Sequence, residues 1–178
     1  KIDLVGFDAC LMGMIENGYW IKDYAKVMVS SEEKEPGYGW PYTPILSMLT
    51  QNPAMSAEEL GKIVVQEYIK SYGSTTDNVT LSAIDLDKVN DVGLWTNNLV
   101  NLINDGYWDK IKYGKDNVQG YGQDGTIIDL SHFARLICAA ITETNIQNAA
   151  NRLIEAIDSV IIANGEKYSP DSHGLSIY

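Results

Sequence analysis

Residues 1–13 read KIDLVGFDACLMG. Residues 2–8 have the pattern of a strand buried on both faces, as in a parallel sheet. The strand runs straight into Cys10. A cysteine there has two readings. It is a small buried hydrophobe, or it is a nucleophile at the carboxyl end of a strand, where open α/β sheets concentrate their function. Residues 11–24 read as a helix, with Leu11, Met14, Ile15, Tyr19 and Ile21 as its apolar residues. A helix starting just after Cys10 would offer the thiol unpaired N–H groups and a positive dipole end, which favour a thiolate. Strand residues two apart share a face at roughly 6.5–7 Å, so Asp8 and Cys10 point the same way. A carboxylate close to a thiol disfavours the thiolate, but it suits the base of a pocket for a guanidinium or ammonium group. The other reading of Asp8 is a helix N-cap or a strand-end hydrogen bond.

The 178 residues suffice for one sizeable α/β domain, and 45% of them are hydrophobic. The formal net charge of −11 repels phosphate backbones and argues against a nucleic-acid partner. No apolar run approaches the length of a membrane span. The two cysteines, Cys10 and Cys138, form no CxxC pair, which excludes a disulfide scaffold and a zinc site. A Cys10–Cys138 disulfide stays open, although Cys138 in ARLICAAI reads as a core residue. Both ends of the chain fall on strand patterns, KIDLV and HGLSIY. The expectation is a piece of a single domain, cut near both ends.

Further along, residues 27–29 read as a strand and 43–50 as a short helix. Residues 32–42, EEKEPGYGWPY, read as a loop. Ser56 followed by Glu59 is a capping box that opens an amphipathic helix to about residue 72. NVTLSAIDL is a strand and 86–104 a long helix. Residues 114–125, GKDNVQGYGQDG, read as a surface loop that lacks the Lys-Ser/Thr ending of a phosphate loop. Two further helices follow at 129–141 and 145–164. Strands separated by helices indicate a layered α/β fold.

The run FDACLMGMIE, with YAKVMVSSEEKEPGYGWPY after it, resembles the clostripain family of cysteine peptidases, in the caspase-like clan. The caspase signature has Gln-Ala-Cys where this chain has Asp-Ala-Cys. SHGLSIY resembles a later strand of the family. The motifs cover about residues 1–42 and 172–178. The resemblance implies a caspase-like three-layer α/β/α sandwich with a mostly parallel sheet, incomplete in this chain. Residues 1–178 would be the cysteine-bearing, heavy-chain-like C-terminal portion of one peptidase domain. The family implies an endopeptidase cleaving after arginine and often lysine, secreted or cell-surface, bacterial, and matured from a zymogen. Cys10 matches the nucleophile and Asp8 the acidic residue of the pocket for the substrate side chain. The alternative is an inactive homologue that binds basic peptides through the same pocket.

In the family the general base is a histidine upstream of the cysteine. Its absence before Cys10 implies a His-bearing N-terminal segment or light chain as partner, and an inactive chain without it. His132 reads as a surface residue of a helix that Asp129 or Ser131 caps. His173 lies at the wrong end of its strand, and neither is assigned as the base. In the 32–42 loop, Trp40 and Tyr42 are candidate pocket walls. Tyr38 joins them as a substrate-binding candidate, although it stands where some relatives carry an acid. Glu32, Glu33 and Glu35 either add negative potential or form a solvated acidic turn. No cofactor is expected. Calcium is known in the family, but Asp85, Asp87 and Asp91 lack EF-hand spacing, and Asp85 reads as a helix cap.

Overall fold

Strand β1 (Ile2–Gly6) pairs in parallel with β2 (Ala25–Ser30), and the short helix α1 (Ile15–Ile21) makes the crossover between them. The computed structural model describes residues 1–103 and 105–178. Next come α2 (Tyr42–Gln51), α3 (Ala57–Ser71), β3 (Val79–Asp85) and α4 (Val89–Leu102). After a 3-10 turn at Asp105–Tyr107 the chain forms α5 (Trp108–Asn117), β4 (Gly120–Tyr121), β5 (Ile127–Asp129) and α6 (Leu130–Ala140). It ends with α7 (Thr144–Val160), β6 (Ile161–Lys167) and β7 (Ser176–Ile177). Asn104, the expected last residue of the long helix, lies outside the described residues.

The main sheet has the order β1-β2-β3-β6. Side chains alternate across it as the strand period requires. Val27, Val29, Leu81 and Ala83 meet Val64, Val65 and Tyr68 of α3 on one face. Met28 and Ile84 meet Val89 and Val92 of α4 and Leu153 and Ile157 of α7 on the other. Helices therefore cover both faces, giving the expected α/β/α layers. Ser56 caps α3 as expected, with the Glu59 N–H donating to Ser56 Oγ at 3.1 Å.

Five expectations change. The sheet is mixed rather than mostly parallel, because β2–β3 and β3–β6 are antiparallel. The expected helix 145–164 stops at Val160, and the β-branched run Val160-Ile161-Ile162 turns directly into β6. A Cβ on Gly165 would stand 2.5 Å from Ile69 Cγ1, so the glycine lets α3 pack closely on that strand. The expected loop 114–125 begins inside α5, where Gly114 is buried and a Cβ would touch the Phe133 ring at 3.0 Å. Gly114 is a packing residue there, not a loop signal.

The fourth change bears on Cys10. The helix expected from residue 11 begins only at Ile15. Residues 10–14 instead cross the end of β2, with the Gly13 N–H donating to Ser31 O at 2.7 Å. A Cβ on Gly13 would lie 2.8 Å from the backbone at Ser31 and Glu32. Only a residue without a side chain permits that crossing. Asp85 also differs, since it bonds the Asp87 N–H at 3.0 Å and pairs with Lys88 at 2.9 Å rather than capping α4.

The C-terminal segment is tied down by buried acids. Glu32 is 1% exposed. Its Oε2 accepts from the Ser172 hydroxyl and, at 3.0 Å, from the Gly174 N–H. Asp129, fully buried, caps α6 through the His132 N–H at 2.6 Å and accepts from the His173 N–H at 2.6 Å. Full burial and the neighbouring Asp129 push Glu32 well above the usual carboxylate range. A raised carboxyl means that the folded state holds the proton where the unfolded chain releases it. Stability from this group is then complete below about pH 4.5, its ordinary value, and is lost as pH rises. Glu32→Gln is expected to flatten this decline, as urea unfolding from pH 5 to 8 will test. An unchanged slope would show that Glu32 does not carry it.

Candidate active site

Two loops build the surroundings of Cys10. One is the turn after β1, and the other follows β2. The Leu11 N–H donates to Glu33 O at 3.2 Å, next to the Gly13–Ser31 bond. The second loop is itself anchored on β3, where Thr80 Oγ1 accepts the N–H groups of Glu32 at 3.1 Å and Glu33 at 3.0 Å. Leu11 has φ of 61°, a left-handed conformation that costs a side-chain-bearing residue about 1–2 kcal/mol. It redirects the chain immediately after Cys10.

Cys10 is exposed and its thiol is free, as is that of Cys138, so the two form no disulfide. Sγ of Cys10 accepts from the Glu35 N–H at 3.3 Å and lies 3.7 Å from the Glu35 carbonyl oxygen. Helix α1 starts only at Ile15, so the helix N-terminus expected directly after Cys10 is not there to favour a thiolate.

Asp8 shares the cleft with Cys10. Its Oδ2 accepts from the Tyr42 hydroxyl at 2.8 Å and from the Trp40 N–H at 3.3 Å. Gly39, at φ of 62°, folds over the carboxylate so closely that a Cβ would sit 2.8 Å from Oδ1. Asp8, Cys10, Glu35 and Tyr38 line an open cleft of ≈ 300 Å³. A larger depression of ≈ 810 Å³ lies along α4 and α7, but Trp95, Arg152, Glu155 and asparagines line it without any nucleophile. Chemistry rather than size therefore selects the smaller cleft.

The aromatic candidates part company. Tyr38 stands at the cleft, 96% exposed. Trp40 is buried, with its ring against Gly6, and holds Asp8 through its backbone instead of lining the cleft. Tyr42 acts as a donor to Asp8 rather than as a wall. The glutamates do not form a solvated turn either. Glu32 is in the buried knot, and Glu33 Oε1 accepts the Gly122 N–H at 3.2 Å. Glu35 turns inward, accepting from the Trp40 indole N–H at 3.3 Å. Burial, with Asp8 alongside, pushes Glu35 up to about 8.

Neither histidine lines this cleft. His132 is largely buried rather than a surface residue, and its Nδ1 accepts the Gln119 N–H at 3.1 Å. His173 Nδ1 lies 3.2 Å from Asp129 Oδ1 and 2.9 Å from Asp171 O, and the Asp129 carboxylate holds it above the usual histidine range. Among the described residues, no group of His, Cys, Asp and Glu side chains is arranged to hold a metal ion. No helix among them is long and apolar enough to cross a membrane.

An exposed thiol that shares a cleft with a held carboxylate is a candidate for nucleophilic chemistry. The model of the clostripain family matches residues 1–174, and the chain belongs to that family. Solved structures agree on the fold. A clostripain from Bacteroides thetaiotaomicron, in complex with the peptide inhibitor BTN-VLTK-AOMK, aligns with a TM-score of 0.77 at 14% identity, over 99% of this chain and 78% of that one. A cysteine protease of B. fragilis aligns at 0.68 and 19% identity, over 100% and 78%. An inactive zymogen of a C11 protease from Parabacteroides distasonis aligns at 0.77 and 16%, over 99% and 52%. No curated protein matches the sequence.

Gly39→Ala is expected to destabilise the protein by roughly 1–3 kcal/mol, because it strains the backbone and displaces Asp8. Gly37→Ala, with open space around it, serves as the control and should change stability by under about 0.5 kcal/mol. Urea unfolding compares them.

Proposed function

We propose that this chain is the cysteine-bearing part of an endopeptidase that cleaves after arginine or lysine. The observation that carries the reading is Asp8 held beside Cys10 in one cleft by Tyr42 and Trp40. Cys10 attacks the scissile carbonyl carbon as a thiolate and forms a tetrahedral intermediate. Backbone N–H groups, the Cys10 amide among them, stabilise its oxyanion. The C–N bond breaks as a histidine gives its proton to the leaving amine. Water then attacks the thioester and releases the acid, returning the thiol. Asp8 binds the basic side chain just before the cleaved bond. The peptide inhibitor of the Bacteroides clostripain contains the sequence VLTK, ending in lysine, which is consistent with such a pocket.

The histidine comes from another segment. Both histidines of this chain are committed elsewhere. Strand β1 is an edge of the main sheet, with β2 on one side and Ile2 63% exposed. An additional strand can pair along that open edge and bring its own carboxyl end next to Cys10. A His-bearing N-terminal segment or light chain is the occupant this reading requires, and the chain without it is inactive. No cofactor takes part. A related protease from Bacteroides thetaiotaomicron is described as secreted, and we assign a secreted or cell-surface place in a bacterium here.

The full-length protein, assayed on arginyl, lysyl and neutral amide substrates, tests the proposal. Cys10→Ala is expected to abolish hydrolysis, and residual turnover would remove Cys10 from the mechanism. Asp8→Asn is expected to raise KM about tenfold or more for basic substrates and to leave neutral ones nearly unchanged. Binding of basic peptides without any hydrolysis would favour the inactive homologue.

A further inference from the structure

A second depression flanks Cys10. The first, already described, is lined by Asp8, Cys10 and the loop from Glu35. The second, of ≈ 560 Å³, begins at the next residue, Leu11. It lies between Lys34 and the β4–β5 hairpin at Tyr121, Gly122, Asp124 and Ile127. Hydrogen bonds fix both of its walls. The neighbours of Lys34 clasp the nucleophile segment, with Glu33 O accepting the Leu11 N–H at 3.2 Å and the Glu35 N–H donating to Cys10 Sγ at 3.3 Å. Lys34 is thereby bracketed beside the Cys10–Leu11 peptide. The hairpin is tied to the same loop by the Gly122 N–H, which donates to Glu33 Oε1 at 3.2 Å. A Cβ on Gly122 would stand 3.7 Å from Leu11 Cδ1, so the hairpin rests against Leu11. Lys115 of α5 secures its far end by donating to Gly125 O at 2.8 Å.

The charges of this second depression differ from those of the first. Among the residues lining the two, Lys34 is the single cation, and it is exposed. Among the described residues, its ammonium is paired with no carboxylate. The acids nearest in the chain and in the hairpin are already engaged. Glu33 Oε1 takes the N–H of Lys34 itself at 2.7 Å as well as that of Gly122. Asp124 Oδ1 accepts from the Thr126 hydroxyl at 3.1 Å, and these bonds, with Lys115 close by, hold Asp124 below the usual carboxylate range. An acidic chain thus keeps an uncommitted positive head one residue past its nucleophile.

We propose that the depression on the Leu11 side of Cys10 receives the residues that follow the cleaved bond, and that Lys34 makes it select a carboxylate side chain there. This rests on the peptidase reading and extends it to the leaving-group side. With the preceding side chain held at Asp8 and the scissile carbon at Cys10, the leaving amine and what is attached to it continue past Leu11. Leu11 and Ile127 give that segment an apolar wall, and Lys34 gives it a charged partner. Asp8 and Lys34 then read opposite charges on the two sides of one bond, which fixes the direction of the substrate chain as well as its position.

The test measures how the acyl-enzyme is shared between water and added amines. The full-length enzyme is acylated with whichever arginyl, lysyl or neutral ester it hydrolyses fastest. Glutamic acid α-amide, glutamine amide and lysine amide are offered as acceptors, each alone and behind glycine. The acceptor nitrogen attacks the thioester carbon, the C–S bond breaks, the amine's proton returns to the thiol, and an amide forms in place of the acid. The ratio of amide to acid reports the leaving-group side alone, because acylation is already complete. Glutamic acid amide is expected to be favoured over its neutral isostere about threefold, the scale of an exposed ion pair, and the preference should shrink in high salt. Lys34→Gln should bring the ratio to about one, Lys34→Arg should retain the preference, and Lys34→Glu should turn it toward lysine amide. Lys62→Gln, which removes an exposed charge on α3, is the control for net charge and should leave the preference in place. Equal use of the acidic and neutral acceptors, or a preference that survives Lys34→Gln, overturns the inference and leaves the peptidase reading standing. If Lys34→Gln changes only acylation by substrates with an acid before the bond, the depression serves the other side and the inference falls. An enzyme that no ester acylates removes the peptidase reading and this subsite with it.

Discussion

The turn after β1 and the loop after β2 are held together by backbone hydrogen bonds, Leu11 to Glu33 and Gly13 to Ser31, and by the Glu35 N–H at the Cys10 sulfur. Everything at the cleft follows from this zipper. It takes the place of a helix start after Cys10, and it brings the 35–42 loop over Asp8. It also demands glycine at position 13, where two backbones meet too closely for any side chain. The anchor beneath it is Thr80 of β3, whose hydroxyl oxygen takes both Glu32 and Glu33 N–H groups. A central strand of the sheet thereby sets the position of a loop that a surface segment of this composition would otherwise leave free.

The same acidic loop supplies two carboxyls to very different places. Glu32 goes inward to the C-terminal segment, where Ser172 and the Gly174 N–H satisfy one oxygen and Asp129 lies close by. Glu35 goes to the cleft, half-buried beside Asp8. Desolvation and a like charge raise both. The consequences differ because the first site is closed by protein and the second opens to solvent. A closed acid pair can only affect stability. An open one can exchange its proton for a cationic ligand. A run of glutamates in sequence carries no trace of this division, since it depends on which way each residue leaves the loop.

Much of the layered fold was legible. Ser56 with Glu59 and the apolar stripe behind them are local signals, and α3 forms where they say. Asp8 and Cys10 do share a cleft, but β1 ends at Gly6, and the turn after it, not a common strand face, brings them together. The illegible parts are those where a distant partner overrides a local pattern. Residues 161–167 continue an amphipathic helix by spacing, yet they pair with β3 because β-branched residues and Gly165 let them fit beneath α3. Residues 11–14 have helical composition, yet backbone bonds at the end of β2 hold them as an irregular crossing segment.

By itself the sequence determined the alternation of strands and helices, the position of a thiol after β1 with a carboxylate two residues before it, and the likeness to the clostripain family. These rest on periodicity, capping and short motifs, which act over a few residues. Only the tertiary structure decided that the sheet is mixed, that Trp40 and Tyr42 hold Asp8, and that Glu35 turns in beside Asp8 while Glu32 is buried against the C-terminal segment. Those outcomes depend on burial and on contacts between segments far apart in the chain. The energy of a carboxyl or hydroxyl is set by the partners and the solvent around it, and no local pattern specifies either.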